Sequence, residues 1–161
     1  MNEVIRVGMA EVKVVKQPNI LTCVGLGSCV AIALYDTKKR IGGLAHIMLP
    51  ERGPRKNSSP PAKFADSAVE LLLVTLKRRG SLKKDMVAKI FGGANMFPHV
   101  PGNSLIHVGL RNSLTVKKAL EDQDIKIIAQ DLGGHWGRTI VFYTEDGSIQ
   151  VKDAGGNVRE Y

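Results

Sequence analysis

Residues Gly25–Pro50, GLGSCVAIALYDTKKRIGGLAHIMLP, decide how the rest of the chain is read. Val30, Ile32 and Leu34 alternate with Ala31, Ala33 and Tyr35; Asp36–Lys39 carries a turn, and Arg40–Leu49 runs back, which predicts two antiparallel strands. With Tyr35 opposite Arg40, counting back along the pair sets Cys29 opposite His46, where Cβ atoms on one face lie roughly 4.5–5.5 Å apart. A slip of one residue would send the two side chains to opposite faces. In this register the other face carries Val30, Ile32 and Leu34 against Ala45, Gly43 and Ile41, with Ile47 and Leu49 continuing a core surface.

Cys29 follows the run Gly25-Leu26-Gly27-Ser28. A tight glycine turn lets backbone N–H groups converge near a side chain. A histidine can take the proton of a thiol so that the thiolate attacks a carbonyl. Cys29 is thus a candidate nucleophile and His46 a candidate base, with Gly25, Gly27 and Ser28 forming a turn suited to an oxyanion. The competing reading makes Cys29 a small buried apolar side chain and His46 a hydrogen-bonded core histidine.

The 161 residues are read as one domain, 1–161, large enough for a substantial core. Apolar residues make up 43% and charged residues 24%, an ordinary globular balance. The uncharged run Asn19–Tyr35 is interrupted at Gly25–Ser28 and falls short of the roughly 20 apolar residues of a spanning helix. No basic segment abuts an apolar one at the N-terminus, so neither secretion nor membrane insertion is expected. Cys23 and Cys29 form neither a disulfide framework nor a zinc spacing, and a reducing cytoplasm is the expected compartment. His99 and His107 lack acidic or thiol partners at metal spacing, so no metal and no cofactor are expected. The net charge of +8 suits nucleic acid or an acidic protein surface. With only 5% aromatic residues and the basic side chains scattered, the acidic protein partner is favoured over RNA.

Strands are expected at Val4–Val7, Glu11–Val15, Ile20–Val24, Met86–Phe91, Ile125–Gln130, Thr139–Tyr143 and Ile149–Lys152. A helix is expected to start at Ser59-Pro60-Pro61 and to end before Gly80, with Ala65, Ala68, Val69, Leu72 and Leu76 on one face. Asn112 is read as the cap of a second helix running to Glu121. Glu51–Pro61 is an irregular loop, a candidate lid or docking surface. His135, in a second glycine-rich loop, is a candidate substrate contact. Many short strands with two or three flanking helices make an α+β fold of layered, mostly antiparallel sheets.

Several separated segments then resemble one family in order: Val24–Val30, GGLAHIMLP (Gly42–Pro50), the alanine-rich helix from Ala62, AKIFGGANMF (Ala88–Phe97), GLRN (Gly109–Asn112) and DLGGHWGR (Asp131–Arg138). Together they are similar to the chemoreceptor glutamine deamidases of the CheD family. The resemblance implies hydrolysis of selected glutamine side chains in methyl-accepting receptors to glutamate through a cysteine thioester. It also implies a partnership with CheC, a phosphatase acting on the phosphorylated response regulator CheY, and a fold similar to the catalytic domain of cytotoxic necrotising factor toxins. The family's nucleophile falls on Cys29 and its base on His46. The third member is usually a threonine six residues before the cysteine; here Cys23 stands there and Thr22 one place earlier, on the opposite side of a strand. Lys38, Lys39, Arg40, Arg52, Arg55 and Lys56 are candidates for steering an acidic receptor because they flank the site in sequence. The alternative to an enzyme is an adaptor that binds and stimulates CheC without catalysis.

Overall fold

The computed structural model describes residues 2–54, 59–99 and 107–161. Among them the strands are β1 (Val4–Arg6), β2 (Val12–Lys16), β3 (Ile20–Leu26), β4 (Val30–Asp36), β5 (Ile41–Ile47), β6 (Met86–Gly92), β7 (Lys126–Leu132), β8 (Arg138–Tyr143), β9 (Ile149–Asp153) and β10 (Val158–Glu160). The helices are α1 (Ala65–Arg78) and α2 (Val108–Asp122). Every residue of β4 and β5 is buried, so this hairpin must be covered on both faces. It lies inside a sheet ordered β2-β5-β4-β6-β7; a second sheet, ordered β1-β3-β8-β9-β10, stacks on one face. The fold is α+β as expected, and six of the eight strand pairings are antiparallel.

Two cores follow from the alternation along β4 and β5. Val30, Ile32, Leu34, Ile41, Ala45 and Ile47 pack against Ala68, Leu72 and Leu76 of α1 and Val116 and Leu120 of α2. Ala31, Ala33, Tyr35 and Leu44 turn the other way and meet Leu21, Cys23, Ile140, Phe142 and Val151 of the second sheet. The order of layers is sheet, sheet, helices. At β5 the two layers close so tightly that only glycine fits: a Cβ on Gly42 would lie 2.8 Å from the Phe142 ring and 2.7 Å from Thr144, and one on Gly43 2.8 Å from Leu76. No helix among the described residues is long and apolar enough to cross a membrane.

The turn after β4 differs from the expectation by one residue at each end. Asp36 stays in the ladder opposite Ile41, and its carboxylate accepts the N–H groups of Lys38 and Lys39, both at 2.9 Å. The loop is therefore Thr37–Arg40, with Arg40 in the left-handed region at φ 53°. The first helix also starts later than its sequence signals suggest. Pro60 is extended (φ −63°, ψ 145°), Pro61–Lys63 form a single 3-10 turn, and α1 begins at Ala65 after Phe64. Asn112, read as a cap, instead lies inside α2 and is fully buried. The short β10 has no strong pattern and was not expected.

The two sheets are also joined by charge. Asp131 of β7 accepts Arg138 Nε of β8 at 3.0 Å, Arg159 Nε of β10 at 2.8 Å and the Tyr161 hydroxyl at 2.6 Å. Burial raises the affinity of this carboxyl for a proton, but the hydrogen bonds from Tyr161 and Arg159 and the nearby Arg138 charge outweigh it and hold it below the usual carboxylate range.

Two outcomes follow from this packing. Gly42→Ala should lower unfolding free energy by about 1–3 kcal/mol in urea titrations, because the new methyl has no space between the sheets. Asp131, with its folded-state affinity for protons depressed, contributes stability above the ordinary carboxylate range that is lost as pH falls through its folded pKa. Asp131→Asn should therefore destabilise the protein strongly at pH 7 and much less at low pH, a difference read from melting curves across pH.

Candidate active site

Cys29 stands where the chain crosses from one sheet to the other. β3 belongs to the outer sheet and β4 to the central one, and Gly27–Cys29 is the link. The crossing is prepared by a bulge: the β3–β8 register shifts between Cys23 and Leu26, and Gly25 takes φ 68° and donates its N–H to the Thr139 hydroxyl at 3.3 Å. The next three carbonyls of the link are tied from behind. Gly27 O accepts Ala94 N–H at 2.9 Å, Ser28 O accepts Asn112 Nδ2 at 2.9 Å, and Cys29 O accepts Gly93 N–H at 2.8 Å. Among the described residues the N–H groups of Gly27, Ser28 and Cys29 donate to no other residue.

His46 lies on the same face of the central sheet as Cys29, but the register is shifted by two residues from the expectation. Ala31, not Cys29, pairs with His46, because the turn comprises Thr37–Arg40. A shift of two preserves the face and makes Cys29 and His46 diagonal neighbours, about 7–8 Å apart along the backbone and within reach of a long side chain. The segment after β1 wraps this histidine. Ala10 N–H donates to His46 O at 2.9 Å, His46 N–H donates to Glu11 O at 3.1 Å, and the ring Nδ1 lies 3.3 Å from the Val7 carbonyl. A carbonyl only accepts, so Nδ1 carries the proton and Nε2 is left as the basic nitrogen.

Burial sets the charge state of the pair. Desolvation lowers the affinity of His46 for a proton, against smaller opposing contributions from the Val7 carbonyl and Glu11, so the imidazole rests neutral at pH 7. Desolvation pushes the Cys29 thiol up, partly offset by its own backbone N–H. Cys23, wholly enclosed between the sheets, is pushed up to about 12 by burial and by the neighbouring Cys29. Cys29 is thus the more accessible of the two sulfurs, on the same face of the central sheet as a neutral base.

The remaining expected positions separate clearly. Cys23 is brought beside Cys29, whereas Thr22 points to the other face of β3 and gives its hydroxyl to Ile140 O at 2.7 Å. The Gly25 N–H is engaged by Thr139, so among the described residues only Gly27 and Ser28 of the expected oxyanion set keep open donors, while the Cys29 N–H is turned to its own sulfur. Lys38, Lys39 and Arg40 do not flank the site: the seven residues of β4 put them roughly 23 Å from Cys29, at the other end of the hairpin. There Lys38 pairs with Asp85 at 3.2 Å and Arg40 donates to Gln17. Arg52 follows β5 and its backbone N–H is held by Asp66, while Arg55 and Lys56 lie outside the described residues. His135 is exposed, with Nδ1 3.0 Å from the Asn95 carbonyl. Sequence reading missed two groups: the Val7 carbonyl, which has no side-chain signature, and Asn112. The latter shares the stripe of Gly109, Val116 and Leu120, and a polar residue on an apolar stripe is the signal that could have found it.

Iodoacetamide should modify Cys29 and spare Cys23 in the native protein, with both reacting after denaturation, as located by peptide mass spectrometry. The native rate should still be climbing above the ordinary thiol range, because desolvation holds Cys29 protonated.

Known proteins match the chain along nearly its whole length. Residues 48–153 match the family model CheD, CheD chemotactic sensory transduction. The chain is 47% identical over 96% of its length to a probable chemoreceptor glutamine deamidase CheD of Clostridium novyi, covering 96% of that protein. It is 43% identical to the protein of the same description from Caldanaerobacter subterraneus, over 98% of each chain. A third, from Clostridium kluyveri, is 46% identical over 97% of this chain and 96% of its own. The chain belongs to the CheD family.

Proposed function

We propose that the protein hydrolyses the side-chain amide of glutamines in chemoreceptors, with Cys29 as nucleophile and His46 as general acid and base. The observation that carries the reading is one of placement: the accessible sulfur and the neutral imidazole share one face of a buried hairpin, beside a turn with open N–H donors. The near-full-length relatives described as glutamine deamidases supply the substrate class.

In the first half-reaction His46 Nε2 takes the Cys29 proton while the sulfur attacks the amide carbon. The carbonyl electron pair moves to oxygen, where the N–H groups of Ser28 and Cys29 receive it, each such donor being worth about 3–4 kcal/mol in general. Collapse breaks the C–N bond, and His46 returns its proton to the departing ammonia, leaving a thioester. In the second half-reaction His46 deprotonates water, the hydroxide attacks the thioester, the C–S bond breaks and the sulfur is reprotonated. The sum is amide plus water giving carboxylic acid plus ammonia. The Val7 carbonyl serves as the third member by fixing the tautomer, and Cys23 lies behind the nucleophile as packing.

Exposed apolar side chains at Met96, Phe97, Leu110, Leu114 and Trp136 suit protein partners better than a small amide, and on this surface we place contacts with the receptor and with CheC. The stacked sheets with a cysteine and a histidine on one seam also support the proposed kinship with the cytotoxic necrotising factor catalytic domain. No cofactor is needed by this chemistry.

Cys29→Ala should abolish ammonia release from a receptor fragment, and His46→Gln should lower kcat about 10²–10⁴-fold, with both variants melting close to the parent. Amide-to-acid conversion by the Cys29→Ala protein, read by mass spectrometry of the fragment, would remove this mechanism.

A further inference from the structure

We infer that Asn112 is a positioning residue for the deamidation, a clamp that sets the separation of the nucleophile's turn from the strand bearing His46. The inference rests on the deamidase reading above and names the group on which its geometry depends. Asn112 is fully buried on α2, and its Nδ2 donates to two main-chain carbonyls at once: Ser28 at 2.9 Å and Met48 at 3.0 Å. Ser28 directly precedes Cys29, and Met48 follows His46 by two residues. One amide group thus holds both halves of the site.

The place is where the sheet itself stops holding them. The β4–β5 ladder ends at the pair Val30 and Ile47, so Cys29 and Met48 lie one step beyond the last cross-strand partners. There β5 peels away toward α1, and the N–H groups of Met48 and Leu49 are directed to the Lys63 carbonyl instead of to β4. The two hydrogens of an sp² amide diverge at a fixed angle, so they substitute for the missing ladder bonds with defined geometry. The orientation of the amide is fixed by its partners, since turning it over would face Oδ1 toward two carbonyl oxygens.

Packing alone does not account for an asparagine here. Asn112 shares its buried stripe with Val116 and Leu120, both fully enclosed, and its own Oδ1 is buried with no hydrogen-bond partner among the described residues. Structures leave few buried polar atoms unpaired. An apolar residue would fill the same space without an orphaned acceptor; what it lacks is the pair of donors aimed at Ser28 and Met48.

The test compares Asn112→Ala and Asn112→Leu with Val116→Ala, a cavity one turn on along the same helix whose side chain has no donor for either carbonyl, and with Cys29→Ala, using steady-state deamidation of a receptor fragment and thermal melts. Both Asn112 variants should lose about 10–100-fold in kcat with KM within about twofold of the parent, since a misplaced reacting group of the order of 1 Å has that effect. Val116→Ala should melt lower yet keep its kcat. Asn112→Leu keeps the branching at Cγ, adds volume instead of leaving a cavity, and so preserves the test where Asn112→Ala fails to fold. If kcat of the Asn112 variants stays within twofold of the parent while Cys29→Ala is inactive, the clamp is overturned and the deamidase reading stands. An equal fall in kcat for Val116→Ala also overturns the clamp, because loosening of α2 then suffices. Activity in Cys29→Ala overturns the deamidase reading and the clamp with it.

Discussion

A hairpin buried on both faces constrains the rest of this molecule. Because β4 and β5 have no solvent side, successive residues must enter two different cores, and their small side chains decide how closely each layer approaches. Ala31, Ala33 and Gly42 bring the second sheet down on one face, while Gly43 and Ala45 admit α1 on the other. Cys29 and His46 obey the same alternation as their neighbours. Their placement on one face, at the seam between the sheets, is therefore a by-product of packing, and changing which face either occupies would require inverting a core of more than a dozen buried side chains.

The seam also sets the chemistry available. A charged pair there would be costly, and burial accordingly favours the neutral forms of both thiol and imidazole. Farther along the same seam, charge is tolerated because Asp131 is met by two guanidinium groups and a hydroxyl. The two solutions divide the seam into a stabilised end and a reactive end. On the helix side of the central sheet the Oδ1 of Asn112, without a partner among the described residues, carries a cost of about 1–3 kcal/mol for a buried unpaired acceptor.

Much of this was legible in the residues. Apolar alternation located nine of the strands within a residue or two and put Cys29 and His46 on one face, since parity survives any even error in register. The exact register was not legible, because it turned on whether Asp36 ends the strand or sits in the loop, and only its capture of the Lys38 and Lys39 N–H groups decides that. The distance from the site to Lys38, Lys39 and Arg40 does not depend on that register: these residues flank the site in sequence but form the turn of the hairpin, while the site sits at its open end. Asn112 was misread because asparagine at a helix start is a good cap by local rules, whereas here a tertiary contact to two loops takes the side chain instead.

Where Cys23 stands in place of the threonine, the support that the structure gives the imidazole is a main-chain carbonyl. Cys23 keeps its proton far above neutral pH and has only a weak donor and acceptor in its sulfur, so it is a poor support for an imidazole. The strand that carries it nevertheless reaches His46 by another route: Thr22 O accepts Val7 N–H at 2.8 Å, and the Val7 carbonyl in turn faces Nδ1 of the ring. β1, paired in parallel with β3, thus delivers a rigid acceptor that no side-chain substitution can remove. In the deamidase mechanism proposed above, a carbonyl would fix the tautomer as a carboxylate or hydroxyl would, but would add no negative charge to stabilise an imidazolium formed during proton transfer. That stabilisation must come from the reacting partners themselves, which ties the efficiency of His46 to how well the sulfur, and later the water, is placed against it.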